Sequence, residues 1–594
     1  MRPKFLAAIL FAITLCTAQL WSLPLSAQTH ERGELSNPSV GIGLSSIQYY
    51  ASQQPFLNLM KSASTWIGHL PGQWGGWDHQ RLADEGYLDD EGWLKAMPPQ
   101  LESVSIVLLA DLPLGAVSTR GSYRLTYEGE GQIVVKAGGL PRRPNQPGTI
   151  WFDVPTDTTI VDVSITRTDP RRTGDYIRNI TIVHDRDIAA YDAGEIFNPQ
   201  WLALISDMRM LRFMDWMQTN NSTQSEWADR PQLSDYTYTR RGAPLEIMLA
   251  LANRIGADPW FNMPHLATDD YMAQFATMVR DKLRDGLKVH VEYSNEVWNF
   301  IFDQAKWADE QAQRRWGQSD KWVQFYAVRA VEMAKVWDAA FTGQTDRLVK
   351  VISTHSGWEG LENDILDAPL WVAEDPANNR PPASYFDAYA ITGYFSSDLG
   401  GGKADAVLGW IAQSRSDAES AGKDLGLAGE ALADFVEAHK FDSAIAIAAR
   451  ELLDGSVTGN VEDSVDWLAD HAFPRQAGVA RDHGLDLVMY EGGTHVVGSG
   501  PAVDNDELTA FFIALNYSKQ MGDLYTALLD AWKAAGGTAF ALFVDVAPPS
   551  KWGSWGALRH LDDSTPRWDA INQFNAANPG WWETRPDDAF LSQH

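Results

Sequence analysis

Two stretches place carboxyl groups where a strand runs out. Val-His-Val-Glu-Tyr-Ser-Asn-Glu-Val-Trp-Asn, residues 289–299, starts as a strand and ends at Asn295 and Glu296. Leu-Asp-Leu-Val-Met-Tyr-Glu-Gly-Gly-Thr-His, residues 485–495, ends an apolar strand in Glu491, with Gly492 and Gly493 opening space around it. A carboxylate after such an apolar run is costly unless it is paired or in use. Two carboxyl groups at strand ends of one cleft suit glycosidic-bond cleavage. One protonates the leaving oxygen, and the other attacks the anomeric carbon or activates water. Local structure offers a competing reading: Ser294 or Asn295 could cap a helix beginning at Val297, with Glu296 favourable in its first turn. Glu292 lies inside the strand, where it would pair with a base or face a helix layer, and Asp486 would be surface.

The elements that must position these residues alternate. Short apolar strands read at 208–214, 257–264, 288–293, 347–354, 386–392, 485–491 and 538–544, with helical stretches between them such as 271–284, 304–316 and 323–342. Alternating strand and helix implies a parallel sheet. With Gly-Ile-Gly-Leu-Ser-Ser at 41–46 there are eight strands, the number of a TIM barrel, whose chemistry sits at the C-terminal strand ends. An open doubly wound sheet is the rival, and no Gly-rich phosphate loop follows any strand to support it. Between about 102 and 185 the period changes to two, with strands at 122–129, 132–138, 149–154, 159–168 and 176–185 and a Pro-rich loop at 141–147. That is a small antiparallel β-sandwich. The expected fold class is therefore α/β, a (β/α)8 barrel with an inserted sandwich. Its parts are a leader at 1–27, the barrel's start at 28–100, the sandwich at 101–186 and the rest of the barrel at 187–594. Residues 396–484 form a mostly helical excursion between strands six and seven.

The Asn295-Glu296 pair ending strand four, with Glu491 ending strand seven, resembles the clan A retaining glycoside hydrolases, the 4/7 superfamily of TIM barrels. The resemblance covers roughly 40–98 and 187–575, leaves the sandwich unexplained and assigns no single family. It implies Glu296 as general acid/base, Glu491 as nucleophile and Asn295 as the group that bonds the sugar 2-hydroxyl. Arg212, on strand two, resembles the clan arginine that keeps the nucleophile ionised; an ordinary salt bridge explains it as well. Tyr394, past strand six, resembles the clan tyrosine on the nucleophile, with core packing as an equal alternative. His265 closes strand three as a sugar contact or a wall residue, and His355 and Asp545 follow strands five and eight.

Tryptophan is in excess, 25 of 594 residues. Trp298, Trp358, Trp552 and Trp555 follow strands four, five and eight, and Trp66, Trp74 and Trp77 follow strand one. Sugar faces present C–H groups to aromatic rings, so a Trp-rich mouth suits a polysaccharide. Forty-eight basic against 78 acidic residues give a net charge of −30. Such a surface repels phosphate backbones and excludes general nucleic-acid binding. It also disfavours a polyanionic glycan unless the cleft is locally basic. Arg2, Lys4, an apolar run from Phe5 to Cys16 and Leu-Ser-Ala at 25–27 form a secretory signal pattern. Cleavage would remove the only Cys and two positive charges, leaving −32 (46 basic against 78 acidic). No later run is long enough to span a bilayer, so the product would be secreted or periplasmic.

No HExxH, EF-hand loop or Gly-x-Ser-x-Gly elbow occurs, so no metal or cofactor is expected and acyl-transfer hydrolysis is unsupported. Asp504 to Glu507 reads as an acidic turn before a helix. The function expected is a retaining, endo-acting glycosidase on a neutral β-linked glucan or exopolysaccharide. The alternative is a non-catalytic carbohydrate-binding protein for export or adhesion. The sequence does not determine oligomeric state.

Overall fold

A strand that is apolar on both faces must be covered on both, and a parallel sheet closed on itself and ringed by helices does this. In the computed structural model, which describes residues 35–139, 143–586 and 588–590, the eight expected strands close in sequence order into one barrel. They are β1 (Val40–Gly43), β2 (Met210–Arg212), β3 (Asp258–Met263) and β4 (Val289–Tyr293). β5 (Leu348–Ser353), β6 (Ala388–Phe395), β7 (Asp486–Thr494) and β8 (Phe540–Leu542) follow. All pairs are parallel, and β8 returns to β1. The leader read at 1–27, with Cys16, lies outside the described residues, as do 141 and 142 of the sandwich loop.

The outward strand faces share one apolar core with the helices, which include Asp269–Lys282, Asp303–Trp316 and Trp322–Ala340. Inside the barrel a smaller layer forms from Met210, Trp260, Val351, Ala388, Ala390, Val488, Tyr490 and Ala539. The barrel's N-terminal end is closed by charge. Arg585 donates to both carboxylate oxygens of Asp258 at 2.8 and 2.6 Å, and Glu583 accepts from Arg209 and Lys288. Among the described residues no helix is long and apolar enough to cross a membrane.

Between β1 and β2 lie two antiparallel sheets. One contains Thr149–Val154, Gly121–Glu128 and Arg178–His184; the other runs Gly76–Trp77, Ile67–His69, Ser103–Leu108, Val161–Thr168, Gly131–Lys136. The second sheet thus takes in strands at 67–69 and 76–77, too short to show a period in the sequence. Trp66 and Trp77 are buried in the core these sheets share, with Leu125, Val163 and Ile182, rather than facing the barrel mouth. Trp74 remains 60% exposed, against His69 of the same sheet.

Candidate active site

On β2, β3 and β4 alternation turns Arg212, Trp260, Asn262 and Glu292 to the inside of the barrel. Arg212 is the hub. Its Nη1 donates to Glu491 Oε1 at 2.6 Å, and its Nη2 donates to Asn295 Oδ1 at 2.8 Å and Glu292 Oε2 at 3.2 Å. The guanidinium lies 5.5 Å from the Trp260 ring and 5.1 Å from that of Tyr490. Glu292, fully buried, pairs with this base and also accepts from Asn262 Nδ2 at 2.7 Å and Trp260 Nε1 at 3.1 Å. All three contacts fall on Oε2, and the buried Oε1 has no hydrogen-bond partner among the described residues.

Simple alternation would send Tyr490 and Glu491 to opposite faces of β7. The register against β6 slips between them: Ile391 pairs with Met489, but Thr392 pairs with Glu491. Tyr490 is the extra residue, and a bulge of this kind re-aims the side chain that follows it. Both side chains consequently reach the same site. Glu491 is 6% exposed, and Tyr394 donates to its Oε2 at 2.9 Å. Burial raises the Glu491 carboxyl, while Arg212 and Tyr394 favour its charged form.

No helix begins at Val297; the first helix after β4 starts at Asp303. The capping account of Ser294 and Asn295 therefore falls, and residues 294–302 form an irregular loop. Ser294 and Glu296 hold left-handed backbone, φ +62° and +42°, which costs a residue with a Cβ. The neighbours enforce it. Ser294 N–H donates to Met263 O at 2.8 Å, and Asn262 Nδ2 donates to Ser294 O at 2.8 Å. Gln304 Nε2 donates to Asn295 O at 2.9 Å. So held, Glu296 accepts from Asn299 Nδ2 at 3.1 Å, and the Tyr490 hydroxyl lies 3.5 Å from its other oxygen. That hydroxyl accepts from Trp298 Nε1 at 3.2 Å. No cation pairs with Glu296 among the described residues, and burial and the negative charge of Glu491 push its carboxyl up to about 8.

Glu296, Glu491, Asn295, Arg212, Tyr394 and Trp298 thus form one network through Tyr490. Trp555 packs on Tyr394 with ring centroids 6.3 Å apart and donates to Trp552 O at 3.0 Å; Trp552 itself is 65% exposed. His355 stands edge-on to Trp298 at 4.5 Å. His265 is not joined to the network: its ring packs on Trp307 at 5.5 Å and its buried Nδ1 has no partner among the described residues. Asp545 accepts from Gln53, Trp201 and the Ser45 backbone, tying β8 to the loop after β1. The site also contains residues not singled out in the sequence. Asn262 was detectable as a lone amide in an apolar strand. Asp215, whose carboxyl is raised to about 7 by burial and the nearby Glu491, follows Arg212 by three positions. Asn220, whose Oδ1 accepts from Asn295 Nδ2 at 3.1 Å, sits in a long loop with no pattern to mark it. Among the described residues no group of three or more His, Cys, Asp or Glu is arranged to hold a metal ion.

No known family model matches the chain, and no curated protein matches it in sequence. Solved structures give faint likenesses. A 4-O-α-L-rhamnosyl-β-D-glucuronidase from Fusarium oxysporum 12S is 11% identical over 62% of each chain, TM-score 0.33. A Bacteroidetes-affiliated GH5 cellulase linked with a polysaccharide utilization locus is 10% identical over 66% of this chain and 87% of its own, TM-score 0.32. A GH10 protein from Paenibacillus barcinonensis is 11% identical over 65% and 93%, TM-score 0.32. Likenesses of this order assign no activity to this chain.

Proposed function

We propose that the chain is an exported glycoside hydrolase that cleaves β-linked polysaccharide by retaining double displacement. One observation carries this reading: the two carboxyl groups have opposite partners. Glu491 is clamped by Arg212 at 2.6 Å and Tyr394 at 2.9 Å, whereas Glu296 has no cation among the described residues and is pushed up to about 8. The pair therefore holds one proton at neutral pH, on Glu296, and one negative charge, on Glu491. In the first step Glu491 attacks the anomeric carbon as the proton of Glu296 passes to the departing glycosidic oxygen. In the second, Glu296 takes a proton from water, whose oxygen displaces Glu491 and restores both groups. Asn295, oriented by Arg212 and Asn220, bonds the 2-hydroxyl, and Trp298 and Trp555 offer faces to the sugar rings. The acid surface favours a largely neutral chain, a β-glucan or exopolysaccharide, cut internally.

The test is release of reducing ends from neutral β-glucans, mannans, xylans and bacterial exopolysaccharides, followed by NMR of the first-formed anomer. Glu491→Gln should lower turnover by about 10³-fold or more, and the product should keep the β configuration. Undiminished release by that variant would refute the nucleophile, and an inverted product would refute double displacement.

A further inference from the structure

Beside the catalytic network, the loop after β2 encloses a second space. A cavity of about 440 Å³ is lined by Asn220, Asn221, Ser222, Thr223, Arg240 and Arg241, with Gln218, Gln224 and Asp229 completing it. Its walls are amides, hydroxyls, two guanidinium groups and the Asp229 carboxylate, in a chain whose net charge is −30. The two arginines differ in one respect. Arg241 is neutralised: Asp235 accepts from its Nη2 with both oxygens, at 2.7 and 2.9 Å. Arg240 has no carboxylate partner among the described residues. The groups facing it are Arg241, Asp235, Tyr236 and His79. Asp235 is already committed to Arg241, and His79 is held neutral by burial and by Arg240 itself. Asp229 spends Oδ2 on the backbone N–H groups of Ser225 and Glu226, at 3.1 and 2.8 Å. A half-buried guanidinium without a counter-ion, beside a second one, is stabilised by an anion from outside, and its planar fork matches a carboxylate or sulfate. Asn220 forms both a wall of this cavity and the support of Asn295, so the cavity abuts the residue placed on the sugar.

We infer that Arg240 and its cavity form a binding site for an anionic group carried by a sugar, a carboxylate or a sulfate ester. Resting on the glycosidase reading above, this narrows the substrate to a mainly neutral glycan bearing sparse acidic residues. The negative surface then rejects dense polyanions, while one pocket accepts a single charge.

Binding separates the two proposals because it needs no turnover. The Glu491→Gln protein is titrated by calorimetry with D-glucuronic acid, glucose 6-sulfate, glucose and inorganic sulfate. One of the two sugar acids should bind at least tenfold tighter than glucose, and which one identifies the group. Arg240→Ala should abolish that preference without changing the affinity for glucose, and Arg240→Lys should keep part of it. Equal affinity for acidic and neutral sugars, or a preference that survives Arg240→Ala, overturns the site. Inorganic sulfate binding as tightly as both sugar acids overturns its assignment to a glycan. Arg240-dependent binding in a protein that cleaves no glycan would leave the site standing and remove the glycosidase reading.

Discussion

As the proposed acid of the first step, Glu296 must carry a proton when substrate binds. Its carboxyl is raised to about 8, so the acid form persists through neutral pH and is lost as pH climbs past that value. The profile of kcat/KM should therefore fall on its alkaline side near pH 8, with the acid side set by protonation of Glu491. Asn299 supports the charged form of Glu296 through its 3.1 Å hydrogen bond. Asn299→Ala should move the alkaline limb upward by roughly half a pH unit, and a limb that moves down or stays fixed would show that this bond does not tune the acid. Neither effect could be read from the sequence. Burial and the partners of a carboxyl are tertiary properties, and Glu296 and Glu491 look alike as letters.

At the scale of strands, Arg212 joins β2 to β4 and β7 from inside the barrel. Removing it leaves Glu292 and Glu491 as buried charges without a cation. Arg212→Met should cost about 3–5 kcal/mol in urea unfolding and abolish activity. Adding Glu292→Gln should recover part of the stability but none of the activity; if the double variant is no more stable than the single one, the unpaired charge is not what destabilises. The eight barrel strands were legible because strands buried on both faces read as apolar runs. The β7 bulge was not, because one extra residue leaves no mark on composition. It turns Glu491 into the site beside Tyr490, where strict alternation would have sent the carboxylate to the opposite face. The short strands at 67–69 and 76–77 were missed for want of length, and with them the true place of Trp66 and Trp77.

Across the whole molecule, the C-terminal stretch seals the end of the barrel opposite the Glu296–Glu491 pair. Arg585, Lys288 and Arg209 hold Glu583 down to about 2, from an ordinary value of 4.5. A carboxyl depressed on folding adds stability above its unfolded value, and that contribution drains away as pH falls from 4.5 towards 2. Glu583→Gln should therefore lower stability at pH 7 by about 3 kcal/mol. The gap from wild type should close near pH 2, as followed by urea midpoints across the acid range. A gap that is constant with pH would mean that packing, not ionisation, makes the contribution.

The sandwich leaves and rejoins the barrel at one place: Phe56 bridges Phe197, and Leu57 N–H donates to Ile196 O at 2.9 Å. To the barrel, so long an insertion begins and ends as a single narrow stalk. Yet it also reaches forward. Tyr236 stacks on Trp66 with ring centroids 5.3 Å apart, and Thr237 Oγ1 donates to Ala63 O at 2.7 Å. Those contacts brace the same β2 loop that carries Asn220 and Arg240. A change in the sandwich therefore acts on the loop that carries the proposed anion site, while the Arg212 network inside the barrel stays as it is.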